Sequence, residues 1–191
     1  MTEQPTAANP RMVTCDPVAG YAPQIGRYVA QLAEVRRDLH EQVAGLTVAQ
    51  LAWHPDAQTE SIGTLLLHLD AVEWSWMHQD ISGAPDAAYP GSWDEAMPIR
   101  AAVAQVSGRP LDRYLDQLAA TRTETLRLLA DFTDADLPRL VGEAPPPPGR
   151  EARSELYTID WIIWHVIEHE ATHVGQVELL KRLQPPVSPD A

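Results

Sequence analysis

Apolar residues recur along this chain at spacings of three and four, in runs broken by proline- and glycine-rich stretches. After Pro17, residues Ile25, Val29, Leu32, Val35 and Leu39 keep that rhythm, the mark of an amphipathic helix. It predicts a first helix over 18–44, ended at Gly45, with "LTVAQLAWHP" as a short connecting turn anchored by Trp53. A second helix is expected over 61–79, stopped by "SGAPDAAYPGS". A third carries Leu111, Tyr114, Leu118, Thr121, Thr125, Leu128 and Leu129, with 93–106 as a lead-in turn and 131–137 closing it. The four consecutive prolines of "GEAPPPPGREAR" force a stiff, extended connection. The fourth helix is expected over 154–183. No run reads as a strand and no internal repeat is visible. The fold class expected is therefore all-α, a four-helix bundle, an architecture that often builds metal sites from side chains on facing helices. The expected division is a flexible segment over 1–16, the bundle over 17–184 and a flexible tail over 185–191, with Met12 as a second candidate start.

Composition narrows the partners. A chain of 191 residues reads as one domain. Its single cysteine, Cys15, cannot form an internal disulfide and reads as an inert thiol, so a cytoplasmic protein is expected. A net charge of −13, with Lys181 the only lysine, argues against nucleic acid and against an anionic membrane surface. No apolar run approaches the roughly 20 residues that span a bilayer. The N-terminus lacks the basic and apolar parts of a signal peptide. A small-molecule substrate is the partner that remains.

Candidate chemistry sits on two helices. His169-Glu170-Ala171-Thr172-His173 spells H-E-x-x-H, a zinc-binding string of many metalloproteases. Helical residues four apart project side by side, so His169 and His173 can share one ion. Ile162, Val166, Val177 and Leu180 flank them on one side, and Thr158, His165, Thr172 and Gln176 on the other. His165 continues the series, so spacing alone leaves His165/His169 and His169/His173 both open. Gly175 would admit a closely approaching backbone or ligand. On the second helix His68 has Leu65 and Val72 on one flank and Ser61, Thr64, Ala71 and Ser75 on the other. Small residues there suggest space for a ligand. Three neutral imidazoles, His68, His169 and His173, would leave an open coordination position, as in catalytic rather than structural zinc sites. His40, His54 and His78 read as surface or loop residues, and Trp74, Trp76, Trp161 and Trp164 as packing residues, with Trp76 also a candidate pocket wall. A zincin protease is not expected. Gln176 and Leu179 stand where the metzincin pattern needs Gly and His, and Glu178, the nearest downstream carboxylate, lies on the same helix.

"LTVAQLAWHP", "SIGTLLLHLDAVEW", "TDADL" and "WHVIEHEATHVGQ" together resemble the DinB/YfiT-like superfamily of metalloenzymes, which is distinct from the DNA polymerase called DinB. The resemblance runs from about Val18 to Leu183. It implies a bundle in up-down-down-up order, commonly a homodimer, with one divalent ion, zinc or nickel, at one end. By position it places the ligands on His68, His169 and His173 and leaves His165 outside. It also implies a transferase using a low-molecular-weight thiol such as bacillithiol or mycothiol, with a non-catalytic metal-binding stress-response module or a metal-dependent hydrolase as alternatives. In such a scheme Glu170 or Gln176 would orient a ligand or support proton transfer, Glu73 would pack behind the site, and Arg150 or Arg153 would meet an anionic thiol cofactor.

Overall fold

The computed structural model describes residues 12, 14–96, 106–141 and 155–185. Arg150, Arg153, the prolyl connection, most of the N-terminal segment and nearly all of the tail lie outside the described residues.

Helix α1 (Pro23–Val43) starts later than its apolar rhythm predicts, and its cap is remote. Ala22 offers no side-chain cap. The carboxylate of Asp134 instead accepts from the backbone N–H groups of Gln24 and Ile25 at 3.0–3.2 Å, satisfying donors that a helix start leaves open. The predicted turn after it is a short helix, α2 (Val48–Ala52), closed by a Thr47/Gln50 capping box. Ser61 caps α3 (Ile62–Trp74), which continues as a π-helical turn, Ser75–Ile81. Then come α4 (Trp93–Ala96), α5 (Leu111–Ala130) and α6 (Ile159–Leu183). The start expected at Ser154 moves to the Thr158 cap, because the chain first forms a strand pair absent from the sequence reading. Strands β1 (Leu140–Val141) and β2 (Tyr157–Thr158) pair antiparallel, with Leu140 opposite Thr158. Two-residue strands are too short to show a period of two.

Side-chain bonds fix the helix directions. Tyr28 donates to Asp160 at 2.5 Å near the start of both α1 and α6, and Lys181 donates to the Gln42 carbonyl near the end of both. Those two helices therefore run the same way. Gln117 to Asp70 (2.6 Å) and Arg122 to Glu73 (2.7 Å) show the same for α5 and α3. Arg36 reaches the Leu118 carbonyl and Arg122 the Leu32 carbonyl, so α1 opposes α5.

The core divides into two apolar clusters. One holds Leu39, Leu66, Trp74, Leu118 and Val177, and the other Ile25, Leu32, Met77, Leu129 and Ile162. Between them lies a layer of four buried charges, one from each long helix: Arg36, Glu73, Arg122 and Glu170. Arg36 grips Glu170 through Nε and Nη2, at 2.5 and 3.3 Å, and reaches Glu73 at 3.0 Å. Arg122 mirrors it, gripping Glu73 at 2.7 and 3.0 Å and reaching Glu170 at 2.7 Å. Exchanging α1 with α5 and α3 with α6 maps this set of bonds onto itself. Burial opposes charge on Glu73, but the guanidiniums of Arg122 and Arg36 outweigh it and hold the carboxyl at about 2.

Among the described residues no helix is long and apolar enough to cross a membrane.

Candidate metal centre

Two helices bring three of the predicted histidines together. Antiparallel packing of α3 on α6 sets His68 against His169 and His173, whose four-residue spacing aligns both rings on one face of α6. His169 Nε2 stands 3.2 Å from His68 Nε2 and 3.2 Å from His173 Nε2. Ligands about 2.0–2.1 Å from a tetrahedral ion stand about 3.3 Å from one another, close to the spacing of His169 from each of the other two, and all three ligand atoms lie within 4.8 Å of one another.

The outer ring nitrogens decide the tautomers. His173 Nδ1 lies 2.6 Å from Gln176 Oε1, and His68 Nδ1 lies 3.3 Å from the Ala96 carbonyl. Both oxygens only accept, so each Nδ1 carries the hydrogen and each Nε2 presents a bare lone pair. His169 Nε2 can donate to one of those lone pairs and not to both. A cation resolves the conflict, so the donor set fits a divalent ion. Burial, aided by the neighbouring His173, pushes His68 down to about 4. Burial and the three neighbouring histidines push His169 down to about 3. Burial also lowers His173, against an opposing pull from Gln176, Glu60 and Glu168. All three rings are thus neutral near pH 7, the form that binds metal.

The remaining expectations fare unevenly. His165, left open by spacing, lies outside the triad. It stacks on Trp161 at 4.8 Å, meets Trp76 edge-on at 5.0 Å and faces Glu168 at 3.6 Å. Gln176 stands against His173, with its Oε1 2.6 Å from the ring Nδ1. Glu170 does not share the site, because both of its oxygens are taken up by Arg36 and Arg122 in the charge layer. It follows His169 by one residue and so turns about 100° away around the helix. Glu73 belongs to the same layer. Trp76 contacts Tyr157, Trp161 and His165. The small residues beside His68, Ser61, Thr64, Ala71 and Ser75, are all buried. Gly175 has nothing near where a side chain would stand, so no close approach explains it. His78, expected as a surface or loop residue, is instead buried in the π turn, stacked on Trp74 at 4.3 Å with Thr125 Oγ1 3.4 Å from its Nε2. A groove of about 560 Å³ lies between α1 and α5, floored by Arg36 and Arg122, and contains none of the three clustered histidines.

Sequence comparison adds a family to this geometry. No curated protein matches the chain. The family model described as mycothiol-S-transferase matches residues 28–184, a span that takes in all four long helices but the first turn of α1 and includes all three clustered histidines. By that match the chain belongs to the mycothiol-S-transferase family, a DinB/YfiT-like family.

Proposed function

We propose that this protein is a divalent-metal-dependent transferase that joins a low-molecular-weight thiol, mycothiol, to a small electrophile. The observation that carries the reading is the convergence of three Nε2 lone pairs from two helices, with no fourth ligand in the cluster among the described residues. Together with the family match, that open position is where a thiol would enter.

A bound divalent ion would favour the thiolate over the thiol near neutral pH. The chain's own residues supply the rest. His68, His169 and His173 present neutral nitrogens, and Gln176 and the Ala96 carbonyl fix two of the rings through their Nδ1 hydrogens. In the transfer, the thiol proton leaves to solvent, sulfur forms a bond to the electrophilic carbon, and the leaving group departs with its electron pair. Zinc or nickel suits three imidazoles and an open position.

The same reading takes the four long helices as one bundle over 17–184 in up-down-down-up order, supported by the shared direction of α1 with α6 and of α3 with α5. It takes the protein as cytoplasmic and homodimeric. Its test is turnover of mycothiol with a reactive electrophile by metal-loaded protein. Activity that needs the ion and disappears in His173→Ala supports it. Product release from ester or amide substrates without thiol would point to a hydrolase. Metal binding with no turnover of any thiol would point to a binding module.

A further inference from the structure

The groove between α1 and α5 lies on the other pair of helices from the histidine cluster, and α1 supplies most of its wall. Val29, Leu32, Ala33, Arg36, His40 and Ala44 line it at spacings of three and four, which is one face of that helix. From α5 come Arg122 and Leu126. Ala33 is exposed although it stands on this face, so its short side chain leaves the wall open. At about 560 Å³ the groove falls within the roughly 300–1,000 Å³ of small-molecule sites.

Its floor offers hydrogen-bond donors. A guanidinium carries five N–H hydrogens. Arg36 engages Glu170 through Nε, the Leu118 carbonyl through one hydrogen of Nη1, and Glu73 and Glu170 through Nη2. Arg122 does the same with Glu73, the Leu32 carbonyl and Glu170. Charge in the layer is matched, yet each guanidinium keeps one Nη1 hydrogen without an acceptor among the described residues. Both side chains line the groove, and both residues are only 8% exposed, so water competes little for those hydrogens. An oxygen entering the groove would complete them.

Charge selects the ligand. Glu73 and Glu170 already neutralise the two guanidiniums. At the rim Arg37 stands among Glu34, Asp38 and Glu41, an excess of negative charge. Burial, with the Arg36 guanidinium and against the pull of Glu170, holds His40 below its ordinary 6.5, so it adds no positive charge near pH 7. An anion would find no unmatched cation here, and a cation would face guanidinium hydrogens. An uncharged oxygen acceptor meets neither obstacle. We infer that the α1/α5 groove is a second ligand site, and that it takes an uncharged, largely apolar small molecule whose carbonyl oxygen accepts from Arg36 and Arg122. The apolar body lies against Val29, Ala33 and Leu126.

The probe is prodan, an uncharged naphthyl ketone, followed by equilibrium dialysis beside two analogues that carry propyl or carboxylate in place of its propionyl group. The proteins are wild type, Ala33→Trp, which fills the groove from an exposed position, and Ala120→Trp, exposed on α5 and outside the lining. His173→Ala separates the groove from the histidine cluster. Saturable binding of prodan is expected in the wild type, roughly ten-fold or more weaker in Ala33→Trp and unchanged in the other two variants. The propyl analogue, which accepts no hydrogen bond, should bind roughly ten-fold more weakly than prodan, and the carboxylate should also bind more weakly. No saturable binding, equal binding by Ala33→Trp, or binding lost in His173→Ala alone overturns the site. A propyl analogue as tight as prodan, or a carboxylate at least as tight, overturns recognition of an uncharged oxygen by the two guanidiniums.

Discussion

The four-charge layer and the three-histidine cluster are both polar constellations inside the same helices, yet they solve burial in opposite ways. In the layer every charge has its opposite, and Nη1 of each guanidinium also donates to a carbonyl, that of Leu118 or Leu32. In the cluster two bare nitrogens face a third across 3.2 Å. A satisfied buried network fixes how helices pair. An unsatisfied one, held in place by bonds to its outer nitrogens, is prepared for something from outside. That contrast separates scaffold from site more clearly than burial does, since Glu170 and His173 are buried on the same helix.

The largest effect should come from breaking the layer. Glu73→Ala leaves two buried guanidiniums short of a partner and is expected to cost about 3–5 kcal/mol of stability in urea unfolding of metal-free protein. His68→Ala in the same assay should change metal-free stability by about 1 kcal/mol or less. Comparable losses from both would erase the distinction between scaffold and site.

Next in size is the outer bond to His173. Gln176→Leu removes the acceptor for Nδ1–H and should weaken metal affinity roughly 10- to 100-fold with the fold intact, measured by competition with a chelator. Unchanged affinity would mean that the ring is held by packing alone.

Further effects are expected in acid, in two windows. His68 and His169 lie at about 4 and about 3, below their ordinary 6.5, so the unfolded chain binds protons first as pH falls. Their contribution to metal-free stability is present above about pH 6.5 and is lost as pH falls from there toward 4 and 3. Glu73 lies at about 2 instead of 4.5, so its contribution is lost between those values. Unfolding free energies from pH 8 to 3 should show the first loss reduced in His68→Ala and kept in Glu73→Gln. An identical profile in all three proteins would contradict the assignment.

Much of the site was legible because helical spacing carries it. His169 and His173 align by sequence alone, and His68 stood out on a nearly all-apolar helix. His165 did not separate from them by spacing, since the stacking partner that claims it, Trp161, lies on the same face four residues earlier. The charge layer was missed although its signal was there. Arg36 follows Leu32 by four and Arg122 follows Leu118 by four, both at core positions of their helices. A charge on an apolar stripe asks for a partner, and Glu73 and Glu170 occupy the matching places on α3 and α6. Glu170 was drawn into the site by the H-E-x-x-H string, when its offset from His169 turns it the other way. The Asp134 cap and the two-residue strands depend on contacts between segments far apart in sequence, which no local pattern reveals.

The proposed function depends on the three histidines holding one divalent ion. It is tested most directly by metal content per chain in native-purified, untagged protein, beside His68→Ala and His173→Ala. About one equivalent of zinc or nickel is expected in the wild type, lost in both variants while their circular dichroism stays unchanged. A wild type that carries no metal and takes none up on reconstitution would contradict it.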